Sequence, residues 1–409
     1  MMSYIRRIKN RLHKAAQNGK SKLYNLVESA VKNYPRAYLG FITAFAIAGF
    51  GYILLFPVLI IISLLNIHEA LTFNDALDWQ TASIWLLISL IAGLVTFRAA
   101  KVKANTPAGL TLTEDKAPEL FKTVQQFNAE CKRPAIHRIV ITGNYELDIV
   151  RTPKWAIPVW STNTLIVGLP VLQALAPKQF ECVLARRIGH FSKRENPLTN
   201  WLCQLRKIWQ HYNRLYARQN DFGIEPLKWF FAVYAPFYTA TSVFAARRDE
   251  LDADTYAMTL YNDEQVREMV TADAVCRSYI QNQYWPAVYK IASIDRKSLP
   301  APHTKMASAV HASLQGDRLG DLIEKTYAAK PSWQDTIPSL RDRLANIGHA
   351  RPHMEENIAE NAAVHYLGAS MKNVVTLIDK LWLQSFLQQR KIQRSKSQEK
   401  ALAEQTSSA

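Results

Sequence analysis

The sequence predicts a mainly α fold with a small β-sheet, an α+β soluble domain preceded by a transmembrane helical hairpin. Three observations carry that expectation. Residues 37–67 contain no Asp, Glu, Lys or Arg, and a second uncharged run, 81–97, follows a short polar link. Beyond them, helical spacing dominates, as in "APELFKTVQQFNAECKR" and "PKQFECVLARRIGHFSKRE". Only "IHRIVITGNYELDIV" and "STNTLIVGLP" have the β-branched character of strands around turns.

The 409 residues, 48% hydrophobic and 21% charged, are enough for a sizeable core, which excludes general disorder. The net charge of +16 is concentrated at the ends. Residues 1–36 hold nine Lys/Arg against Glu28 alone, and residues 388–409 hold five against Glu399 and Glu404. No aromatic-interleaved basic motif accompanies them, so nucleic acid is not an expected partner; topology and anionic lipid headgroups explain the basic leader better. The four cysteines form no CxxC pair, which fits a reducing compartment without structural disulfides.

A spanning helix needs about 20 apolar residues for a hydrocarbon core of about 30 Å, so both uncharged runs suffice. The first exceeds one upright span, and Pro57 is expected to kink it or to mark an interfacial part. A signal peptide fits poorly, because the basic leader and apolar run are both too long. The intervening "HEALTFNDALDWQ" carries acids only, whereas Arg98, Lys101 and Lys103 follow the second run. The positive-inside rule then places both termini in the cytoplasm, in a multi-pass protein of the inner membrane. A third uncharged stretch, Trp229 to Ala246, is aromatic-rich and broken by Pro236. It is read as a buried or membrane-grazing helix; a true span there would turn the C-terminal half outward.

The chemistry concentrates in two helical stretches. In "ARRIGHFS", His190 lies four residues after Arg186, on a helix whose apolar stripe is Phe180, Val183, Leu184, Ile188 and Phe191. Residues i and i+4 share a helix face, which is how the two histidines of HExxH grip one zinc while the Glu activates water. Here the string is "RRIGH". About 60 residues on, "ARRDELDADTYAM" places Glu250 and Asp254 at the same spacing, two carboxylates on one face.

With these motifs the chain resembles the zinc metallopeptidase family that includes the HtpX heat-shock protease and the CAAX prenyl endoprotease, in its bacterial membrane-hairpin form. The resemblance runs from about residue 105 to 385, through "STNTLIVGLPVLQALAPKQFECVLARRIGHFS", "FAARRDELDADTYA", "YWPAVY", "DTIPSLRDRLANIG" and "NAAVHYLG". It implies a gluzincin-type domain over 98–387, after a cytoplasmic leader (1–36) and the hairpin (37–97), with a polar, disordered tail over 388–409. It also implies that His190 and Glu250 are remnant zinc ligands, with Asp254 a carboxylate that orients a ligand. Arg186 stands in the first-ligand position, Arg187 in that of the general base, and Ile337 in that of a histidine.

Arginine is always cationic and neither ligates zinc nor takes a proton from water. The expectation is therefore a pseudopeptidase with no cofactor, in which the Arg186 guanidinium stands in for the metal and pairs with Glu250 and Asp254. The plainer reading is that both arginines reach solvent and the carboxylates hydrate. An extended peptide or protein client would add to an edge strand around "NTLIVGL". The alternative is an active zinc endopeptidase with a different ligand set, for which His211 is the nearest candidate along the chain.

Overall fold

A computed structural model describes residues 25–72, 79–101, 109–130, 136–154, 157–192, 197–217, 223–294, 300–332, 335–355 and 360–406. The order begins with α1 (25–33), α2 (Pro35–Thr72), α3 (Trp79–Lys101), β1 (Leu110–Leu112), α4 (Pro118–Glu130), β2 (Arg138–Thr142), β3 (Leu147–Lys154) and β4 (Ile157–Gly168). It continues through α5 (Leu169–Ala174), α6 (Pro177–Ser192), α7 (Pro197–Ala217), α8 (Glu225–Thr241), α9 (Val243–Ala257) and α10 (Asp263–Tyr279). After a π-helical turn come α11 (Trp285–Ile294), α12 (Pro302–Ser313), α13 (Asp317–Ala328), α14 (Leu340–Asn346), α15 (Ala362–Leu367) and α16 (Met371–Thr406). The chain is thus mainly helical with one small sheet, as expected.

Two units divide it. One joins Met1–Ala104 with Glu195–Leu251 and Pro331–Pro338; the other joins Asn105–Arg194, Asp252–Lys330 and Ser339–Ala409. In the first, the buried Trp209, Phe231, Tyr234 and Tyr238 of α7 and α8 pack with Tyr38 and Ile42 of α2.

In the first unit α2 and α3 are long and apolar enough to cross a membrane. They differ from the core helices of a water-soluble protein in leaving their apolar side chains bare: Leu54, Ile61 and Leu65 of α2 and Ile84, Leu87 and Leu90 of α3 are all exposed. Helix α2 runs unbroken through Pro57 and on to Thr72, so the polar link is shorter than the sequence suggested; its centre, 73–78, and residues 1–24 of the leader lie outside the described residues. Helix α8 lies along the early half of α2. Tyr52 Oη donates to the Pro226 carbonyl (3.1 Å), Tyr234 Oη to Phe45 O (2.7 Å) and Tyr38 Oη to Thr241 O (2.9 Å). Gly49 makes room for Tyr234, whose hydroxyl would stand 2.5 Å from any Cβ there. The stretch 229–246 is two helices, because α8 ends at Thr241; the Ser242 hydroxyl donates to the Tyr238 carbonyl at 2.6 Å, and buried Arg206 of α7 donates to the Ser242 Oγ at 3.2 Å.

In the second unit the strand order is β1-β2-β4-β3, with β2 and β4 parallel and the other pairs antiparallel. This corrects the expected edge strand. Thr164–Gly168 pairs with β2 on one side and Thr164–Val167 with β3 on the other, so "NTLIVGL" has no free edge for a peptide. The sequence carried the reason: Leu165, Ile166 and Val167 are successive apolar residues buried on both faces, the mark of an interior strand. The core lies between this sheet and the surrounding helices, and Phe180, Val183, Leu184 and Ile188 of α6 join it. Helix α16 is held by Asp379, which accepts from the backbone of His303 (2.8 Å) and from Thr304 Oγ1 (2.7 Å) and faces His303 Nδ1 at 2.9 Å. The tail expected to be disordered is helical to Thr406. From Met371 onward there is neither Gly nor Pro, and Gln, Lys, Arg, Ala and Leu are strong helix formers.

Candidate functional site

Arg186 lies in the middle of α6, 3% exposed, and its Nε donates to Asp254 Oδ1 of α9 at 2.6 Å; Asp254 is fully buried. Local packing sets the approach of the two helices. Gly189, one turn on from Arg186, faces Tyr256, and a Cβ there would run into the edge of that ring. Only glycine fits.

A second arginine completes the site. Ser339 caps α14 by accepting from the Asp342 N–H (3.1 Å), which sets Arg343 one turn inside the helix. Arg343 grips Asp254 as a fork, Nε to Oδ2 and Nη2 to Oδ1, both at 2.9 Å. Its Nη1 donates to Asp273 Oδ2 of α10 at 3.1 Å. Arg277, one turn further along α10, donates to Asp273 Oδ1 (3.1 Å) and lies over the Tyr145 ring, 4.8 Å from its centroid. Three guanidiniums thus hold two carboxylates inside the second unit.

The electrostatics follow. Burial alone would raise the Asp273 carboxyl, but the guanidiniums of Arg277, Arg343 and Arg186 outweigh it and bring the pKa to about 2. Asp273 is therefore ionised at neutral pH. Cys182, one turn before Arg186, goes the other way: burial pushes its thiol up to about 12 despite the nearby cation. It therefore stays a protonated thiol at neutral pH.

Of the residues singled out from sequence, Arg186 and Asp254 are brought together. Arg187 is half-buried at the next position of α6, and Glu250 is half-buried one turn ahead of Asp254 on α9. His190 lies on α6, but its side chain is outside the described residues. Ile337 is half-buried at a bend two residues before Ser339, and it belongs with His211 of α7 to the first unit. Burial, followed by the charge of Arg214, holds the His211 imidazole below its ordinary range.

Sequence reasoning missed Arg343, Asp273 and Arg277. A signal existed for Asp273: in "VTADAVCRSY" it is the one acid of an otherwise apolar stretch, with Arg277 four residues later. The donor set does not fit zinc, because a guanidinium only donates hydrogen bonds and Asp254 is already engaged by two of them. Among the described residues, no three His, Cys, Asp or Glu side chains group to hold a metal ion. Comparison with protein-family models, curated proteins and solved structures finds no match to this chain.

Proposed function

We propose that this chain is a membrane-anchored, non-catalytic relative of the zinc metallopeptidases it resembles, a pseudopeptidase that acts by binding or regulation. The observation that carries the reading is the buried Arg186–Asp254 pair. Where the resemblance puts the first zinc ligand there is a fixed cation, bonded to the carboxylate that would orient a ligand. A guanidinium supplies charge and directional hydrogen bonds but neither a Lewis acid nor a base, so it preserves the architecture without a hydrolytic water.

Extended peptide clients remain within this reading, but they would add at an outer strand of the sheet, β1 or β3, since β4 is paired on both sides along Thr164–Val167. The two long apolar helices support an inner-membrane anchor with both termini in the cytoplasm, on the charge asymmetry of their flanks.

The test is zinc content and proteolysis of the purified full chain. The reading expects far less than one zinc per chain and no chelator-sensitive cleavage of an unfolded casein substrate. Stoichiometric zinc, together with cleavage lost on His190→Ala, would establish the active endopeptidase instead.

A further inference from the structure

The outward face of α8 is the strongest unassigned feature. Beyond Lys228 its exposed residues are Trp229, Ala232, Val233, Pro236 and Phe237, and no charged residue occurs until Arg247. Trp229 is 74% exposed, Val233 72% and Phe237 40%. The opposite face is equally apolar, burying Leu227, Phe231, Tyr234 and Tyr238. A helix at a water-facing surface turns polar residues outward; one that is apolar all round belongs in a core or in lipid. Yet the bare face of α8 is not in a core.

Its neighbour indicates what covers it. The hydrogen bonds from Tyr52 and Tyr38 lay α8 antiparallel along α2 between those two positions, and Phe41 and Ile47 in the same half of α2 are also exposed. The bare strip on α8 is thereby continuous with the apolar surface of α2.

Length decides where this half of α2 sits. Its 38 residues span about 57 Å, whereas a whole bilayer with its headgroups is about 40–45 Å thick. Upright, about 12–17 Å of it would stand in water, although there is no charged residue between Ala37 and Tyr52. Tilted by about 40°, at the upper end of the range for spanning helices, α2 rises about 44 Å and all of it stays within the bilayer. The early half then rises about 22 Å from the cytoplasmic face, through the headgroups and into the adjoining acyl chains. Tyr38 and, opposite it, Tyr238 stand at the outer end of this half, at the level where Tyr and Trp are enriched.

We infer that α8 is a lipid-facing helix whose bare face, from Phe237 near the headgroup boundary through Val233 to Trp229, enters the acyl chains beside a strongly tilted α2. The inference rests on the membrane reading of α2 and α3 and adds a lipid contact to it.

The test places a nitroxide on the full chain in vesicles of phosphatidylcholine and phosphatidylglycerol. Val233→Cys and Phe237→Cys are made with Cys131→Ser; Cys182, Cys203 and Cys276 are buried, and the unsubstituted background must take up no label. Ile84→Cys on α3 is the control for lipid, and Gln281→Cys the control for water. The expected result at 233 and 237 is an oxygen-to-nickel collision ratio several-fold above that at 281, approaching that at 84. Free access to the nickel complex at 233 and 237, with Ile84→Cys lipid-like, overturns the inference and leaves the spans standing. Exclusion of both reagents overturns it too, since protein, such as a second copy of the chain, would then cover the face. A water-like signal at 84 overturns the membrane reading and this inference with it.

Discussion

The Nε of Arg186 stands 2.6 Å from Oδ1 of Asp254, in a position almost closed to water, and the same carboxylate takes the two-pronged grip of Arg343 from the opposite element. Burying ions is costly, and a buried pair contributes little to net stability compared with an apolar replacement of the same shape. Removing one member is a different matter, because the partner stays behind as a stranded charge. The asymmetry gives the network its value as a specifier: α6, α9, α10 and α14 can come together in few ways that satisfy all five groups.

Arg186→Met therefore destabilises the second unit, but Arg343→Met does so more. Breaking a buried pair from one side costs about 3–5 kcal/mol, against about 0–1 kcal/mol for an exposed pair. Asp254 keeps the fork of Arg343 when Arg186 is lost, so that variant falls at or below the lower bound. Loss of Arg343 loosens both Asp254 and Asp273. Urea unfolding of the two variants checks the order. Equal midpoints for Arg186→Met and the parent would show that the guanidinium does not stand in for a metal's charge.

Gly189→Ala is expected to destabilise although alanine favours helix by about 1 kcal/mol. The added methyl runs into the Tyr256 ring, and forced overpacking costs about 1–3 kcal/mol. Tyr256→Leu introduced with it should recover part of the loss. If the double variant is no more stable than Gly189→Ala alone, the close approach of α6 and α9 is not what requires glycine.

The parts of this structure legible in the sequence are those written locally. Uncharged runs announced α2 and α3, helical spacing announced α4 and α6, and the separation of Glu250 from Asp254 by four residues announced a shared helix face. The order of strands was not local, although the unbroken "LIV" of β4 hinted at an interior position. Arg343 meets Asp254 across 89 residues of sequence and Asp273 across 70, and no spacing rule reaches that far. The helical tail escaped for another reason: composition that is polar throughout reads as disorder, while its intrinsic helix preference is high.

Topology gives an independent prediction. A reporter that works only in the cytoplasm, fused after Ala409, should be active, and one inserted within 73–78 should be silent. Arg98 and Lys101 beyond the second run, and the nine basic residues ahead of the first, determine this. The reverse pattern would place the Arg186 network outside the cytoplasm and discard the inner-membrane orientation proposed above.

Acid should loosen the second unit in a definite window. Asp273 has a folded pKa of about 2, below the unfolded value of about 3.9, and at Asp379 hydrogen bonds from His303 and Thr304 outweigh burial and hold the carboxyl below its ordinary range. A depressed carboxyl stabilises the folded state above its unfolded pKa, and that contribution disappears as pH falls through the folded one. The loss therefore falls between about pH 4 and pH 2, and for Asp273 it amounts to about 2 kcal/mol. Urea midpoints measured at pH 6, 4, 3 and 2 should stay level to about pH 4 and then decline. Asp273→Asn, already deprived of the charge, should start lower and decline less. An equal decline in parent and variant would mean that Asp273 is not held ionised by its three arginines.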